Sequence, residues 1–347
     1  RTSTNRYFGE KMNLFKRAIF FTDIHFGMKS NSHTHNQDCL DFIDFVIETG
    51  KARNCETCIF LGDWHHNRAS LNISTLNYSV RGMDKLTKAF TQVVMLPGNH
   101  DEHYRDTREM NSIVWTKQYD NVRFYDEITV ENDVAVLPWL VGEEHKTVKN
   151  IEAKYMFAHL ELPNFFMNAM VKMPDVGELK TDDLHSETIF TGHFHKRQTS
   201  GNVTYIGNAF PHNYADAGDD DRGCMILDWG QTPEYIKWEN APKYRRFMLS
   251  SILEKTDELL LPNMYCRVDI DLDISYEEAT FIKEQFVPQY NLRELSLIQR
   301  TDLEEHAQTF KGEVNFESVD SIVTSHLTQL ETAQYDRQLM LDIYRNL

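Results

Sequence analysis

Five short motifs in the sequence carry side chains of the types that bind metal ions. They read Asp23-Ile-His25, Gly62-Asp63-Trp-His-His66, Gly98-Asn99-His100-Asp101, Ala158-His159 and Gly192-His193-Phe-His195. Carboxylate, amide and imidazole donors without thiolate suit a borderline-hard divalent cation such as Mn²⁺, Fe²⁺ or Zn²⁺. Two such ions roughly 3.5–4 Å apart would activate a bridging water and neutralise the charge on a phosphodiester under attack. The motifs therefore predict a two-metal hydrolase.

Each motif directly follows a short apolar run that is predicted to be a β-strand. The five runs are residues 17–22, 57–61, 92–96, 154–158 and 188–191. Ligands gather beyond the carboxyl ends of strands in open α/β sheets, so motifs that lie far apart in sequence would meet there. A single histidine of this set could be an ordinary structural residue. Five strands that all end in Asp, Asn or His indicate one shared site.

Strands that alternate with amphipathic stretches of helical length indicate an α/β fold. Residues 37–49 and 73–90 place their apolar side chains on one helical face. Further strands are predicted at residues 134–138, 203–206 and 223–228. After the motif region the strands follow one another with only turns between them, which predicts an antiparallel second sheet. We therefore expect a two-sheet sandwich flanked by helices.

The chain is predicted to divide into four segments. They are a disordered lead-in (1–13), a catalytic domain (14–243), a small α+β cap domain (244–312) and a C-terminal helical segment (313–347). Within the cap, residues 265–271 alternate like a half-exposed strand, and residues 275–285 are predicted to form a helix capped by Ser275. The apolar stripe of the last segment could dock on a partner or equally on the chain's own catalytic domain.

The overall charge opposes broad contact with nucleic acid. Lys and Arg number 36 and Asp and Glu number 53, so the net charge is −17. A stand-alone DNA binder neutralises phosphates with basic side chains, which this balance disfavours. DNA chemistry remains compatible if bound metal ions reverse the charge locally and a partner subunit supplies the basic surface.

The cysteine count and the apolar runs indicate a cytoplasmic protein. Five cysteines are an odd number, which argues against a disulfide framework and for a reducing compartment. No stretch approaches the roughly 18 unbroken apolar residues of a membrane-spanning helix. We expect the cytoplasm, or the host cytoplasm if a phage encodes the protein, and no membrane partner.

The ordered series DxH, GDxxx, GNHD, H and GHxH, within residues 15–240, resembles the metallophosphoesterase superfamily, which includes calcineurin-type phosphatases and SbcD-like nucleases. The resemblance implies a calcineurin-like four-layer αββα sandwich. It also implies that Asp63 bridges two ions. The first ion would be held by Asp23, His25, Asp63 and His195, and the second by Asp63, Asn99, His159 and His193. Both ions are expected to be Mn²⁺, with Mg²⁺, Fe²⁺ or Zn²⁺ as alternatives.

Three further residues are candidates for catalysis. His100, next to Asn99 and steadied by Asp101, could act as an acid or polarise the phosphate. His66 lies three residues after the predicted bridging carboxylate, where SbcD-like nucleases have a similar histidine or acid, and it could touch a DNA phosphate. Its alternative is a surface histidine in a loop. His65 departs from the usual apolar residue at its position.

The resemblance extends to the layout of the C-terminal part. It implies a metal-dependent DNA exonuclease or endonuclease that works as one subunit of an SbcC/SbcD-type recombination and repair complex. The partners would be DNA, an SbcC-like coiled-coil ATPase and a second copy of the chain, giving a 2:2 assembly. ATP binding would belong to the partner, because this chain has no GxxxxGK[ST] loop. The alternative is a stand-alone calcineurin-like phosphatase or small-molecule phosphodiesterase.

Overall fold

The computed structural model describes residues 13–167 and 171–299, and the strands in these residues form three sheets. In chain order the strands are β1 (Arg17–Phe21), β2 (Thr57–Phe60), β3 (Gln92–Met95), β4 (Val122–Phe124), β5 (Thr129–Glu131), β6 (Val134–Leu137), β7 (Tyr155–His159), β8 (Thr188–Gly192), β9 (Gln198–Ser200), β10 (Val203–Tyr205), β11 (Gly223–Asp228), β12 (Glu234–Lys237), β13 (Lys243–Met248), β14 (Met264–Ile270) and β15 (Glu294–Gln299). The helices are α1 (His33–Ala52), α2 (Ile73–Ala89), α3 (Glu144–Val148), α4 (Leu249–Glu254), α5 (Thr256–Leu259) and α6 (Tyr276–Gln289). In the part of the chain that the structure describes, no helix has both the length and the apolar character needed to cross a membrane.

The first sheet has the order β12-β11-β1-β2-β3-β4. Strands β1 to β4 run parallel, and β11 pairs antiparallel with β1. The predicted helices cover its outer face as α1 and α2, whose side chains Phe42 and Met83 pack with Phe21 and Phe60 of the sheet. Both helices begin at a capping side chain: Ser32 accepts the N–H of His35 at 3.4 Å, and Asn72 accepts the N–H of Ser74 at 2.8 Å.

The second sheet has the order β5-β6-β7-β8-β10-β9 and corrects one prediction. Its four central strands run parallel, and only the edge strands β5 and β9 pair antiparallel. The long connections at residues 138–154 and 160–187 return the chain to the same end of the sheet, as parallel pairing requires. The sequence pattern did not reveal these crossovers because they contain loops and the short α3 in place of long amphipathic helices.

The two six-stranded sheets pack face to face and share one apolar core. Phe20 and Ile59 of the first sheet meet Phe157 and Phe190 of the second, and the rings of Phe20 and Phe157 lie 5.0 Å apart. The outer face of the second sheet is covered by α3 and by loops. The predicted calcineurin-like sandwich is thus confirmed, with loops forming most of its fourth layer.

The third sheet, β13-β14-β15, lies among the residues predicted to form the cap. Helix α6 packs on it and begins at Ser275, whose hydroxyl accepts the N–H of Glu278 at 3.1 Å while the Glu278 carboxylate accepts the N–H of Ser275. Residues 1–12 and 300–347 lie outside the described residues, and with them most of the predicted lead-in and all of the C-terminal segment. The four-segment division therefore stays a prediction.

Lys29 connects the metal-motif region to the third sheet. It lies in a turn, Met28–Asn31, in which Lys29, Ser30 and Asn31 have left-handed backbone conformations with φ of 54°, 56° and 63°. Its Nζ donates to the hydroxyl of Tyr244 on β13 and lies 4.1 Å from the ring centre of Tyr265 on β14. Burial lowers the pKa of Lys29 to about 8, although Asp38 opposes the shift.

The Lys29 contact predicts a pH dependence of stability. The unfolded chain holds the lysine proton up to about pH 10.5 and the folded chain releases it near pH 8, so the unfolded state binds more protons in this window. The stability of the wild type should therefore rise by about 1–3 kcal/mol relative to Lys29→Met as pH increases from 8 to 10. Urea unfolding at several pH values measures this difference. Lys16→Met, which removes an exposed lysine, is the control. A difference that stays constant with pH would contradict the prediction.

Candidate metal centre

The ends of five strands bring the predicted ligands into one buried cluster. Asp23 and His25 follow β1, Asp63 follows β2, Asn99 follows β3, His159 ends β7, and His193 and His195 follow β8. The donor atoms of Asp23, His25 and Asp63 all lie within 4.8 Å of one another, and so do those of Asp63, His159 and His193. His195 belongs to a neighbouring group with His25.

Asp63 is common to both groups and lies between them. Its Oδ2 is 3.6 Å from Nε2 of His25 and 3.5 Å from Nε2 of His159. Its Oδ1 accepts the backbone N–H of His100 at 2.8 Å, which fixes the orientation of the carboxylate. This is the position that a ligand shared by two cations requires.

Neighbouring acceptors determine which nitrogen of His159 and His193 faces the cluster. Nδ1 of His159 donates to the Leu61 carbonyl at 2.7 Å, and Nε2 of His193 donates to Glu161 at 3.1 Å. The opposite nitrogens face the cluster and lie 3.1 and 2.9 Å from Oδ1 of Asn99. These three atoms can coexist at such distances only with a proton or a cation among them, and a bound cation would take the place of a proton on Nε2 of His159.

Three polar atoms of the first group have no hydrogen-bond partner among the described residues. Oδ1 of Asp23 and both ring nitrogens of His25 are buried without a hydrogen-bond partner among the described residues. Each such group costs about 1–3 kcal/mol when it is left without a partner. Cations coordinated there would remove this cost, and the donor types suit Mn²⁺, Fe²⁺ or Zn²⁺. The residues present therefore fit divalent cations.

The backbone is strained at four of the predicted ligands. Asp23, His25, Asp63 and His193 have left-handed φ values of 50°, 53°, 62° and 94°. Such conformations cost of order 1–3 kcal/mol for residues other than glycine, and they cluster at functional sites. The rest of the fold must offset this cost for these four ligands to stay in place.

Close packing of the turns requires glycine at two positions. A Cβ on Gly62, where φ is 97°, would lie 2.4 Å from Nδ1 of His159. A Cβ on Gly98 would lie 2.2 Å from Oδ1 of Asp63. The glycines of the second and third motifs thus let two strand-end turns approach the same carboxylate.

The electrostatics of the cluster keep the Asp63 carboxylate ionised and the His25 ring neutral. Burial alone would raise the pKa of Asp63, but His159 and His25 beside it hold that pKa well below its ordinary value. Burial opposes protonation of His159 as well, yet the facing Asp63 raises the pKa of His159 to about 9. Burial lowers the pKa of His25 well below its usual range. An ionised carboxylate and a neutral imidazole are the forms that bind metal ions, so a cation bound beside Asp63 would displace the proton that Asp63 holds on His159.

His100 and His66 lie together beside the first group. The rings are stacked with centres 5.2 Å apart, and each lies within 5.4 Å of the His25 ring. Nδ1 of His100 donates to the His66 carbonyl at 2.7 Å, which leaves Nε2 of His100 for another partner. His66 is half-buried, and burial lowers its pKa to about 4. His66 therefore lines the cluster as a neutral ring.

Asp101 bonds to groups other than the predicted one. It was expected to steady His100, but its buried carboxylate accepts four backbone N–H groups, those of Gly98, Asp63, Trp64 and His65, at 2.9–3.2 Å. The His100 ring bonds to a carbonyl instead. Asp101 thus ties the turn of the third motif to the turn that carries Asp63. The sequence could not show this, because the packing of the two turns decides which N–H groups reach the Asp101 carboxylate.

His65, the departure noted in the second motif, is buried beneath the same turn. Its Nδ1 is 2.8 Å from the Ser112 hydroxyl, and its Nε2 is 2.8 Å from the Ser79 hydroxyl, which also accepts the indole N–H of Trp64 at 2.7 Å. The polar ring is therefore satisfied by two hydroxyls where an apolar side chain would have packed.

Sequence reasoning missed His212 as a member of the cluster. His212 is fully buried, and its ring centre lies 5.3 Å from each of the rings of His25 and His195. One ring nitrogen of His212 lies within 4.8 Å of a ring nitrogen of each of these two histidines. It was missed because it follows no strand directly, so the strand-end signal that marked the other ligands is absent.

The role of Asp101 predicts the effect of Asp101→Asn. The amide would present its NH₂ group to at least one backbone N–H, leaving donors unsatisfied at a cost of about 1–3 kcal/mol. Because these donors hold the Asp63 turn, Mn²⁺ affinity should fall as well. Urea unfolding and calorimetric Mn²⁺ titration measure the two effects. Asp106→Asn, at an exposed position five residues further on, is the control. A variant as stable as this control would refute the assignment.

Comparison with known proteins is consistent with this geometry. The sequence profile of the calcineurin-like phosphoesterase family matches residues 16–219. Exonuclease subunit 1 of Enterobacteria phage T4 is 25% identical over 331 residues, which cover 92% of this chain and 94% of that protein. The crystal structure of Pseudomonas putida nuclease MPE is 19% identical with a TM-score of 0.29, covering 54% of this chain and 66% of that chain, just under two thirds of its length. A likeness at that TM-score carries no argument about fold or function.

Proposed function

Because the chain belongs to the calcineurin-like phosphoesterase family, we propose that it is a metal-dependent DNA nuclease that hydrolyses phosphodiesters. It would act as the nuclease subunit of an SbcC/SbcD-type recombination and repair complex. The observation that carries this proposal is the similarity to Exonuclease subunit 1, which covers 92% of the chain, whereas the family match ends at residue 219. A relationship limited to the phosphoesterase domain would not separate a nuclease from a phosphatase.

The proposed cofactors are two divalent cations, expected to be Mn²⁺, that share Asp63. Asp23, His25 and His195 would complete one position, and Asn99, His159 and His193 the other. Ions bound there would supply an activated water and would neutralise charge on the phosphodiester. Glu161 and the Leu61 carbonyl would hold the His193 and His159 rings in the tautomers needed for binding.

His100 is proposed to assist the reaction through its Nε2 atom. Because its Nδ1–H is bonded to the His66 carbonyl, a second proton must lie on Nε2 for the ring to act as a donor. Nε2–H could then donate to a phosphate oxygen or to the leaving oxygen. The stacked His66 ring fixes the plane in which His100 lies.

A cavity beside the cluster suits a nucleotide. It has a volume of about 220 Å³ and is lined by Trp139, Leu140, His159 and Glu161 among others. The Trp139 ring lies 5.1 Å from the His193 ring, so an aromatic surface adjoins the second group of ligands. Nucleobases stack on such surfaces with little sequence preference. This surface fits a substrate that contains a nucleobase, whether free or within a strand.

The partners proposed are DNA, an SbcC-like coiled-coil ATPase and a second copy of this chain in a 2:2 assembly in the cytoplasm. The net charge of −17 supports a partner, because the chain lacks the basic excess that would hold DNA by itself. Residues 313–347 are proposed to dock on that partner. The same acidity favours the alternative of a stand-alone phosphatase, which needs no extended contact with DNA.

The first test of the proposal compares three substrates. In Mn²⁺, the protein should degrade end-labelled linear DNA and hydrolyse an aryl phosphodiester faster than the matching phosphomonoester. Asp63→Asn should lose these activities, because it removes the charge shared by both cations, whereas the exposed control Asp41→Asn should keep them. The aryl phosphodiester measures chemistry that needs no partner. A preference for the monoester, with DNA left intact, would establish the phosphatase.

A second prediction separates metal binding from proton donation. His100→Ala should retain two Mn²⁺ ions per chain while turnover of the phosphodiester falls by about 10²–10⁴-fold. Calorimetric titration and steady-state kinetics on the same preparation measure both quantities. His103→Ala, which removes an exposed imidazole from the following loop, should change neither. Unchanged turnover in His100→Ala would remove His100 from the mechanism.

A further inference from the structure

His212 reaches the cluster from a segment outside the five motifs. It lies between β10 and β11, beyond the last motif, and it is completely buried. Neither of its ring nitrogens has a hydrogen-bond partner among the described residues. A neutral imidazole has one donor and one acceptor, and a histidine used only for packing normally satisfies at least one of them.

The candidate ligands beside the His212 ring are His25 and His195, which belong to the first predicted metal position. The rings of His25 and His195 lie at 86° and 85° to the His212 ring, each 5.3 Å away. One nitrogen from each of these three residues lies within 4.8 Å of the other two. His212 is not in the group formed by Asp63, His159 and His193.

We propose that His212 is a further ligand of the cation held by His25 and His195. This inference rests on the proposed two-metal function and adds a residue that the family's ligand pattern does not contain. The first position would then offer three imidazoles and two carboxylates. The second would offer two imidazoles, one carboxylate and one amide. Imidazole favours Fe²⁺ and Zn²⁺ over Mg²⁺, so the two positions would differ in metal preference.

The segment that carries His212 is held in place by a buried arginine. The backbone N–H of His212 donates to Oδ2 of Asp216 at 3.0 Å. Arg222 is fully buried, and it donates to Oδ1 of Asn208 at 2.5 Å and to the Asp219 carboxylate at 2.8 and 3.0 Å. Both ends of the segment around His212 are therefore fixed before a cation binds.

None of the neighbouring groups among the described residues forms a hydrogen bond with the His212 ring. Nε2 of His35, whose ring lies 5.5 Å away, is 2.9 Å from the His25 carbonyl oxygen. Oδ2 of Asp216 accepts the backbone N–H of His212, and Oδ1 of Asp216 is buried without a bond to the ring. Phe210, at 4.9 Å, packs edge-on and offers no acceptor in the ring plane. A cation or a buried water is left as the partner, and these two can be distinguished.

The test combines Mn²⁺ titration of the full chain with anomalous scattering from crystals of its Mn²⁺ complex. The variants are His212→Ala and His212→Gln, in which the amide keeps much of the side-chain volume and can bond to water. His185→Ala, which removes an exposed imidazole distant in sequence, is the control. In both His212 variants one of the two Mn²⁺ affinities should fall by about 10–100-fold while the other is unchanged. The wild-type anomalous map should show a His212 nitrogen bonded to the ion that His25 holds.

Other results overturn the inference in separable ways. Two Mn²⁺ ions with unaltered affinities in the His212 variants, or a water between the His212 ring and the ion, would mean that His212 binds buried water only. A wild type that takes up no Mn²⁺ would overturn the two-metal function together with this inference. If both variants melt early, the wild-type anomalous map alone decides, because it shows directly whether His212 is bonded to the ion.

Discussion

The buried carboxylate of Asp63 is the group around which the rest of the structure is arranged. An ionised carboxylate in a dry interior needs positive charge or donors close by. Here Oδ1 receives the backbone N–H of His100, whereas Oδ2 lies between the rings of His25 and His159. Every other feature of the site brings partners to this one side chain from two different sheets.

The two-sheet sandwich is what makes this convergence possible. Strands β1, β2 and β3 of the first sheet and β7 and β8 of the second end at the same edge, because their inner faces share one aromatic core. Four of the ligands, Asp23, His25, Asp63 and His193, have left-handed backbone where they meet. The core and the four N–H groups gathered by Asp101 offset this strain.

The region around the site is tied into the remainder of the described chain by polar contacts at its margins. Lys29 joins the turn after the first motif to Tyr244 and Tyr265 of the third sheet. Arg293 reaches from the third sheet to Asp38 of α1 at 2.8 Å, and Arg245 pairs with Asp220. These contacts join the third sheet to Lys29 and Asp38, which follow the DxH motif, and to Asp220, which follows His212.

The sequence by itself determined the class of fold and the main strands and helices of the sandwich, and it predicted the candidate ligands that the structure brings together. It could do so because a strand and the polar residue at its end are a local pattern, and because five such patterns occur at the carboxyl ends of strands. Only the tertiary structure decided the parallel pairing of the second sheet, the bonding of Asp101 to the Asp63 turn, and the place of His212. Parallel pairing depends on crossovers without a helical signal. The other two depend on contacts between residues far apart in sequence or between turns whose approach no local pattern encodes.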